Sequence, residues 1–241
     1  MKILFQCNRL SRKGGGLPAA TLPLIEKASD FSNVLVLTSE IPEVTYRFSV
    51  TAIERNFLQV RNSLFKIRDF SPDLVHTHGL WTPYSRTAVC YGKQAKVPWV
   101  VSPHGMLDPW ALQKSKLKKQ IALLWFERCH LNNASVIHAL NESEANAIRR
   151  LGISTPIATI PNGVADESKN NLGKPSYMDK PCLLFLGRLT PKKGVSELIE
   201  AFGKFSSECN GWRLILAGWE NGAQNYKEQA RSTGADIVFP G

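Results

Sequence analysis

Short apolar runs alternate with amphipathic stretches along the whole chain. Runs such as residues 3–7 and 34–37 are mostly apolar and predict strands that are buried on both faces of a parallel sheet. Apolar residues at helical spacing, as in residues 58–70, predict helices that cover such a sheet. The succession therefore predicts an α/β fold, an open and mostly parallel sheet with helices on both faces. The other predicted strands are 46–53, 72–79, 98–102, 135–139 and 157–160, and the other helices are 82–95, 142–151 and two that end near residues 30 and 131.

The pattern changes between Ala165 and Lys180, where polar residues dominate and the periodicity disappears. This composition predicts a linker, 166–180, between an amino-terminal domain, 1–165, and a second domain, 181–241. About 60 residues are fewer than the ~100–150 of an ordinary domain, so we expect the second domain to be incomplete, with an exposed edge strand. Its predicted strands are 182–186, 213–218 and 236–239, and its predicted helices are 194–207 and 223–232.

The net charge of +10 indicates an anionic partner, and nucleotide phosphates, nucleic acid and an acidic membrane surface all fit it. The basic residues are scattered, without a helix-turn-helix, an aromatic RNA-binding pair or zinc-ligand spacing, which argues against nucleic acid. The five cysteines lie far apart, which indicates buried free thiols in a reducing compartment. No stretch approaches the ~18 apolar residues of a membrane span, and the sequence predicts a cytoplasmic protein.

Four lysines between residues 114 and 119 precede Ile121, Leu124 and Trp125. Such a segment could contact the anionic inner face of a membrane as a peripheral protein does. The spacing of the lysines scatters them around a helix, however, which favours a solvated helix start over a membrane contact.

Candidate ligand-binding residues fall at the carboxyl ends of predicted strands, where open parallel sheets bind their ligands. The run from Gly14 to Gly16 follows the first strand and would let the backbone approach a ligand closely. It lacks the spacing of a dinucleotide-binding motif, and no acidic residue occupies the ribose-binding position, which argues against a dehydrogenase. Later strands end in further polar residues: His78, His104 and Asn162.

His76 and His78 lie two residues apart, and we expect strand alternation to turn only one of them toward the site. The pair could suggest a metal centre. No third ligand follows at a suitable spacing, so no metal site is expected.

The stretch from Gly187 to Gly194 carries Arg188, Lys192 and Lys193 between an apolar strand and a helical pattern. A strand, a glycine turn with fixed cations and a helix N-terminus can bind a phosphate, because the backbone N–H groups and the helix dipole favour the anion. A solvated loop is the alternative for this stretch taken alone.

Taken in order, these pieces resemble the retaining glycosyltransferases of family 4, whose GT-B fold consists of two Rossmann-like domains. The resemblance runs along essentially all of the chain. It implies a complete first domain and an incomplete second one, and the stretch 104–112 is similar to members that build bacterial lipopolysaccharide or exopolysaccharide. The matching segments are 14–16, 73–78, 102–106, 160–164, 187–189, 192–194 and 216–218.

The resemblance implies a cleft between the two domains that binds a UDP- or GDP-linked sugar. Arg188 and Lys193 would bind the diphosphate next to Gly187, and Gly15 and Gly16 would contact the donor phosphates or the acceptor. Two cations can stabilise the leaving diphosphate in place of a metal, so neither a metal nor a cofactor is expected.

His104 would be the catalytic residue, placed beside the reacting sugar to bind a hydroxyl or to support developing positive charge through its carbonyl. His78, Asn162 and Glu144 would be further cleft residues, although Glu144 could equally be a first-turn acid of its helix. The glutamate pair that the family carries on a later loop is not found in the sequence.

The implied function is the transfer of a hexose, with retention, from a nucleoside-diphosphate sugar to a lipid-linked or free saccharide during surface polysaccharide synthesis. The alternative is a non-catalytic remnant or partner subunit that binds an acceptor or a membrane surface. Loss of affinity for UDP and GDP would favour this alternative.

Overall fold

The computed structural model describes residues 1–11, 15–40, 45–52, 57–164, 173, 175–206, 208, 211–219 and 225–241, with the backbone alone for 57–62. The chain forms two compact units, residues 1–166 and 167–241. Gly14, most of the predicted linker 166–180, and the ends of three predicted elements at residues 53, 207 and 223–224 lie outside the described residues.

The first unit is built on a parallel sheet, as the alternating pattern predicts, and seven strands belong to it in the described part of the chain. These strands are β1 (Lys2–Cys7), β2 (Asn33–Thr38), β3 (Ser49–Ala52), β4 (Leu74–His78), β5 (Trp99–Ser102), β6 (Val136–Ala139) and β7 (Ile157–Thr159). Their spatial order is β3-β2-β1-β4-β5-β6-β7. The order reverses between β1 and β4, and ligands of doubly wound sheets bind beyond the carboxyl ends of the strands at such a point.

Helices cover both faces of this sheet. They are α1 (Gly16–Ser29), α2 (Phe57–Phe70), α3 (Pro83–Ala95), α4 (Pro109–Gln113), α5 (Lys116–Ala122), α6 (Arg128–Asn132) and α7 (Glu142–Arg150). A five-residue π-turn, Leu123–Glu127, joins α5 to α6 without a break. None of the described helices is both long and apolar enough to cross a bilayer.

Two apolar cores form because successive strand residues point to opposite faces. Leu4 and Val75 are fully buried in one core, together with Ile148 of α7. Phe5 belongs to the other core, where Ile25 of α1 packs against it. Burial on both faces explains why these strands are almost continuously apolar.

The second unit contains a parallel sheet of the order β10-β9-β8 in its described residues. Its strands are β8 (Cys182–Leu186), β9 (Arg213–Ala217) and β10 (Ile237–Val238), and its helices are α8 (Val195–Lys204) and α9 (Tyr226–Thr233). Val195 and Leu214 are fully buried in its core. Strand β8 forms an edge of this sheet, and its apolar residues Leu184 and Leu186 are exposed.

Candidate functional site

A chain of hydrogen bonds links side chains at the carboxyl ends of β4, β5 and β6. Oγ of Ser102 lies 2.8 Å from Nε2 of His76 and 2.9 Å from Nδ1 of His138. Nε2 of His138 is 2.8 Å from the carbonyl oxygen of Ile160, which directly follows β7. Four neighbouring strand ends are therefore connected through three polar side chains.

The direction of each bond follows from the last acceptor. A carbonyl oxygen only accepts, so His138 donates from Nε2, and in the neutral ring its Nδ1 accepts from the hydroxyl of Ser102. The oxygen of Ser102 then accepts from Nε2 of His76. Burial, together with the neighbouring His138 and His104, lowers the pKa of His76 to about 3. His76 is therefore neutral near pH 7.

His78 and His104 form a second pair at the same edge, with Nδ1 of His78 3.0 Å from Nε2 of His104. Nε2 of His78 is buried and has no partner among the residues that the structure describes, and a bare nitrogen is less costly there than an unpaired N–H group. His78 therefore donates from Nδ1, and His104 accepts at Nε2 and carries its proton on Nδ1. Among the described residues none engages Nδ1 of His104, which is half-buried, so this N–H group can donate to a ligand.

Both rings of this pair are neutral near pH 7. Burial is the main cause, and repulsion from His138 the second, of a pKa of His104 that is lowered to about 4. Burial and the three neighbouring histidines hold the pKa of His78 well below its usual value. A neutral His104 is suited to donating a hydrogen bond. It is poorly suited to act as a general acid at physiological pH, because its protonated form is scarce there.

The rings of His76 and His78 lie on one face of β4, with their centroids 4.1 Å apart. Phe5 of β1 packs against both, at centroid distances of 5.5 and 5.8 Å. The prediction that only one of the two turns toward the site is wrong, because residues i and i+2 of a strand share a face. Within the part of the chain that the structure describes, no three His, Cys, Asp or Glu side chains are grouped to bind a metal ion.

Glu144 holds the turn that carries His104. His104 and Gly105 both adopt left-handed backbone conformations, with φ angles of 55° and 71°. The N–H group of Gly105 donates to one carboxylate oxygen of Glu144 at 2.6 Å, and that of Leu140 donates to the other at 2.8 Å. Glu144 is only 3% exposed, and its own N–H group is capped by Asn141. The carboxylate thus ties the loop after β5 to the loop after β6.

The glycine run begins α1 beside these turns. Gly15 is the N-cap residue of α1, with a φ of 73°, and no atom of the described residues lies within 4 Å of the position that a Cβ on Gly16 would take. A Cβ on Gly79 would lie 3.5 Å from Leu17 and 3.0 Å from Met106, so the start of α1 lies against the turns after β4 and β5. The first turn of α1 contains no acidic residue, and the N–H groups of Gly16 and Leu17 at its start suit an anion, whereas Pro18 has no N–H group.

Asn162 comes two residues after Ile160, whose carbonyl group accepts a hydrogen bond from His138 of the histidine cluster. Its side chain is exposed. Five of the predicted site residues therefore lie at the carboxyl edge of the first sheet, and Asn162 follows the strand next to them. The five are Gly15, Gly16, His78, His104 and Glu144.

The second unit carries the predicted cationic turn directly after β8. Gly187 comes so close to the next strand that a Cβ on Gly218 would lie 1.9 Å from its carbonyl oxygen. Arg188 is exposed, whereas the following Leu189 is 3% exposed and anchors the turn in the core. Lys193 ends a 3-10 turn just before Gly194, the left-handed N-cap of α8.

Arg188 and Lys193 are both exposed, and neither side chain forms an ion pair or a hydrogen bond with the residues that the structure describes. An exposed guanidinium group and an ammonium group at the start of a helix can bind an anion without first breaking an ion pair.

Ser102 and His138 were not predicted as site residues. A signal for them exists, because each is a polar residue within an otherwise apolar strand. Their importance depends on pairing between strands, which places them next to His76, and the sequence of one strand does not reveal which strand lies beside it.

Comparison with known proteins gives matches along nearly the whole chain. Residues 33–163 match the family described as glycosyl transferase 4-like domain, and residues 166–241 match glycosyl transferases group 1. Over 153 residues the chain is 28% identical to a GDP-mannose:cellobiosyl-diphosphopolyprenol alpha-mannosyltransferase from Xanthomonas campestris. This region is 62% of the present chain and 38% of the mannosyltransferase, so the chain spans well under half of that relative's length.

Solved structures with the GT-B fold resemble the chain along its length. HepE from Anabaena, in complex with UDP-glucose, matches with a TM-score of 0.74 and 19% identity, over 99% of this chain and 68% of HepE. A lipopolysaccharide outer core galactosyltransferase, WaaB, matches with a TM-score of 0.65 and 18% identity, over 100% of this chain and 68% of WaaB. At these identities the likeness shows the fold.

Proposed function

Because the chain belongs to the glycosyl transferase 4-like family and has the GT-B fold, we propose that it transfers a hexose from a nucleoside-diphosphate sugar to a lipid-linked saccharide, with retention of configuration. In this reaction the bond between the sugar C1 and the diphosphate breaks and a bond from C1 to an acceptor oxygen forms. The acceptor proton leaves with the diphosphate or passes to water.

The observation that carries the proposal is the presence of two exposed cations in the turn between β8 and α8, Arg188 just after the strand and Lys193 just before the helix. A departing nucleoside diphosphate gains negative charge. Cations and helix N–H groups that are already in position therefore stabilise the transition state. No metal or further cofactor is needed if these two side chains neutralise the diphosphate. HepE binds UDP-glucose, which supports a nucleotide sugar as the donor.

In the first unit, His104 would bind the reacting sugar. Its protonated Nδ1 can donate to a sugar hydroxyl, and its low pKa keeps it neutral while it does so. Gly15 and Gly16 would leave room for the donor phosphates or the acceptor at the start of α1. His78 and Glu144 would act as positioning residues for His104.

The acceptor is proposed from the relative's name, since the Xanthomonas enzyme acts on a diphosphopolyprenol-linked cellobiose. A lipid-linked saccharide lies at a membrane surface, and the chain's charge of +10 suits such a surface. We therefore propose that the protein acts at the inner face of a membrane, in lipopolysaccharide or exopolysaccharide synthesis.

The test is an incubation of the purified chain with UDP- and GDP-linked hexoses and a polyprenyl-diphosphate-linked saccharide in detergent. We expect product with one donor, with the anomeric configuration of that donor by NMR. Arg188→Ala and His104→Ala should each lower the rate by about 100-fold, whereas Lys192→Ala serves as the matched control. An inverted product would overturn the proposed retention.

A second candidate is a non-catalytic chain that binds an acceptor or a membrane, and the exposed apolar edge β8 of the second unit favours it. Titration with UDP and GDP separates the two candidates. If neither nucleotide binds and no donor reacts, the second candidate replaces the first.

A further inference from the structure

Large apolar side chains stand exposed on the segment that leads from α4 through α5 into the π-turn. The exposed fractions reach 76% at Leu124 and 71% at Trp125. We call this surface the α5 face, and its apolar members are Trp110, Leu117, Ile121, Leu124 and Trp125.

Four of these residues form a single stripe along the helix. Ile121, Leu124 and Trp125 follow Leu117 at intervals of four, seven and eight residues, which places them on one side of a helix that turns about 100° per residue. An apolar stripe normally faces a protein core. Here the stripe faces outward, and a second set of side chains faces inward.

The inward side is fixed by a buried polar network. The carboxylate of Glu127 accepts from the N–H group of Trp81 at 2.5 Å and from the hydroxyl of Ser85 at 2.9 Å, and its other oxygen lies 3.1 Å from Nδ1 of His130. Nε2 of His130 in turn lies 3.0 Å from the hydroxyl of Thr77. Glu127 and His130 are completely buried. The helix therefore cannot rotate to bury its outer stripe without leaving this network unpaired.

Cations border the stripe on both sides. About 100° per residue places Lys118 beyond one edge of the stripe and Lys116 beyond the other. The guanidinium group of Arg86 lies 4.2 Å above the ring of Trp125. Residues 109–126 include four lysines and no acidic residue. The scatter of these lysines, which suggested a solvated helix start, is the arrangement that surrounds an apolar stripe with positive charge.

An apolar cavity adjoins the side of α5 that carries Lys116. Its volume is about 370 Å³, and its apolar wall includes Leu112, Leu123 and Leu151. Lys116 and Arg150 also line it. The cavity extends the apolar surface next to the stripe and keeps positive charge at its margin.

We propose that the α5 face docks on an anionic lipid bilayer. Leucine, isoleucine and tryptophan side chains would enter the boundary between headgroups and acyl chains, and the flanking lysines would contact lipid phosphates. The absence of any acidic residue from 109–126 favours a uniformly anionic surface over a protein partner, which normally presents charges of both signs. The docking is argued from this surface alone; only its purpose, bringing a lipid-linked acceptor to the first unit, rests on the proposed function.

The test is sedimentation of the full 241-residue chain with vesicles. One set contains phosphatidylglycerol with phosphatidylcholine, and the other contains phosphatidylcholine alone. We expect binding to the anionic set that weakens as salt is added. The double variant Ile121→Ser, Leu124→Ser and the triple variant Lys114→Gln, Lys116→Gln, Lys118→Gln should each weaken binding by about tenfold or more.

Matched controls distinguish docking through the α5 face from nonspecific binding by other exposed apolar or charged side chains. Phe31→Ser removes an equally exposed apolar side chain elsewhere, and Lys66→Gln with Lys96→Gln and Lys227→Gln removes three other exposed lysines. Both controls should bind within about twofold of the wild type. Circular dichroism of each variant confirms that it is folded.

Three results would overturn the docking proposal: no binding to anionic vesicles, equal binding to both vesicle sets, or binding that both α5-face variants retain. Self-association in analytical ultracentrifugation that Ile121→Ser, Leu124→Ser abolishes, without vesicle binding, would assign the face to a second copy of the chain. No nucleotide is present in these measurements, so their outcome is independent of the transfer reaction.

Discussion

Nε2 of His104 accepts a hydrogen bond from Nδ1 of His78, across 3.0 Å between the ends of two neighbouring strands. The bond fixes the tautomer of His104 and directs its remaining proton to Nδ1. The ring is therefore presented as a neutral donor, and burial, the main cause that lowers the pKa of His104 to about 4, keeps it neutral.

The histidine cluster should make the free energy of unfolding depend on pH. The folded-state pKa values of His76 and His104 are lowered from 6.5 to about 3 and about 4, so the unfolded chain binds more protons between those values and 6.5. Stability is then fully present above pH 6.5 and is lost as the pH falls. We expect a loss of about 1 kcal/mol per pH unit for each histidine below pH 6.

Urea unfolding between pH 7.5 and 4.5 measures this dependence. The variant His104→Gln keeps a polar side chain but does not titrate, so its pH dependence should be shallower than that of the wild type. An identical slope for both proteins would contradict the low pKa of His104.

Loss of the Glu144 carboxylate should destabilise the turn that carries His104. Glu144→Ala leaves the partly buried N–H groups of Gly105 and Leu140 without acceptors and should lower the unfolding free energy by about 1–3 kcal/mol. Glu144→Gln keeps one oxygen acceptor and should cost less. Glu142→Ala, in the exposed first turn of the same helix, is the control.

Activity separates a positioning role of Glu144 from a purely structural one. If Glu144 positions His104, the folded Glu144→Gln variant should lose turnover while its affinity for nucleotide is unchanged. Equal turnover of Glu144→Gln and wild type would limit this residue to stability.

The cationic turn should determine the affinity for nucleoside diphosphates. Arg188→Ala and Lys193→Ala should each weaken UDP or GDP binding by about 10- to 100-fold, because each removes a charge-assisted hydrogen bond. Arg188→Lys should recover only part of the loss, since lysine lacks the planar fork of donors. Calorimetric titration measures the affinities, and wild-type affinity in both alanine variants would place the diphosphate elsewhere.

Gly218 should be essential for the second unit. A Cβ added at this position would lie 1.9 Å from the carbonyl oxygen of Gly187, and the φ of 145° also disfavours a side chain. We expect Gly218→Ala to lower the stability of this unit by about 3 kcal/mol. Hydrogen exchange of the second unit measures the effect, with Gly173→Ala as a control whose Cβ would have no described atom within 4 Å. Unchanged exchange in Gly218→Ala would contradict the close approach.

Much of the fold followed from the sequence because parallel strands buried on both faces leave a strong pattern. Residues 182–186 and 213–217 are strands within a residue of their predicted bounds, and α3 begins one residue after its predicted start. The π-turn was not predicted, because helical periodicity does not distinguish one additional residue in a turn.

The candidate site was predictable where it follows strand ends and not where it depends on neighbouring strands. His104 was selected because it follows an apolar run, and the structure places it beside His78. The roles of Ser102 and His138 arise from contacts between strands that lie 36 residues apart in the chain. The hydrogen bonds from backbone donors to both carboxylate oxygens of Glu144 likewise depend on the left-handed turn at Gly105. No local sequence pattern predicts that turn.

The π-turn sets the angular phase between the two sides of the long helix. Five residues, Leu123–Glu127, span this turn, and its last residue directs a carboxylate inward while Leu124 and Trp125 remain outside. Deleting one residue from the turn would rotate everything before it by about 100° relative to Glu127. Either the carboxylate of Glu127 would leave its buried network or the apolar stripe would turn away from solvent. The one additional residue of the π-turn is therefore what allows the inward carboxylate and the outward stripe to coexist on the same helix.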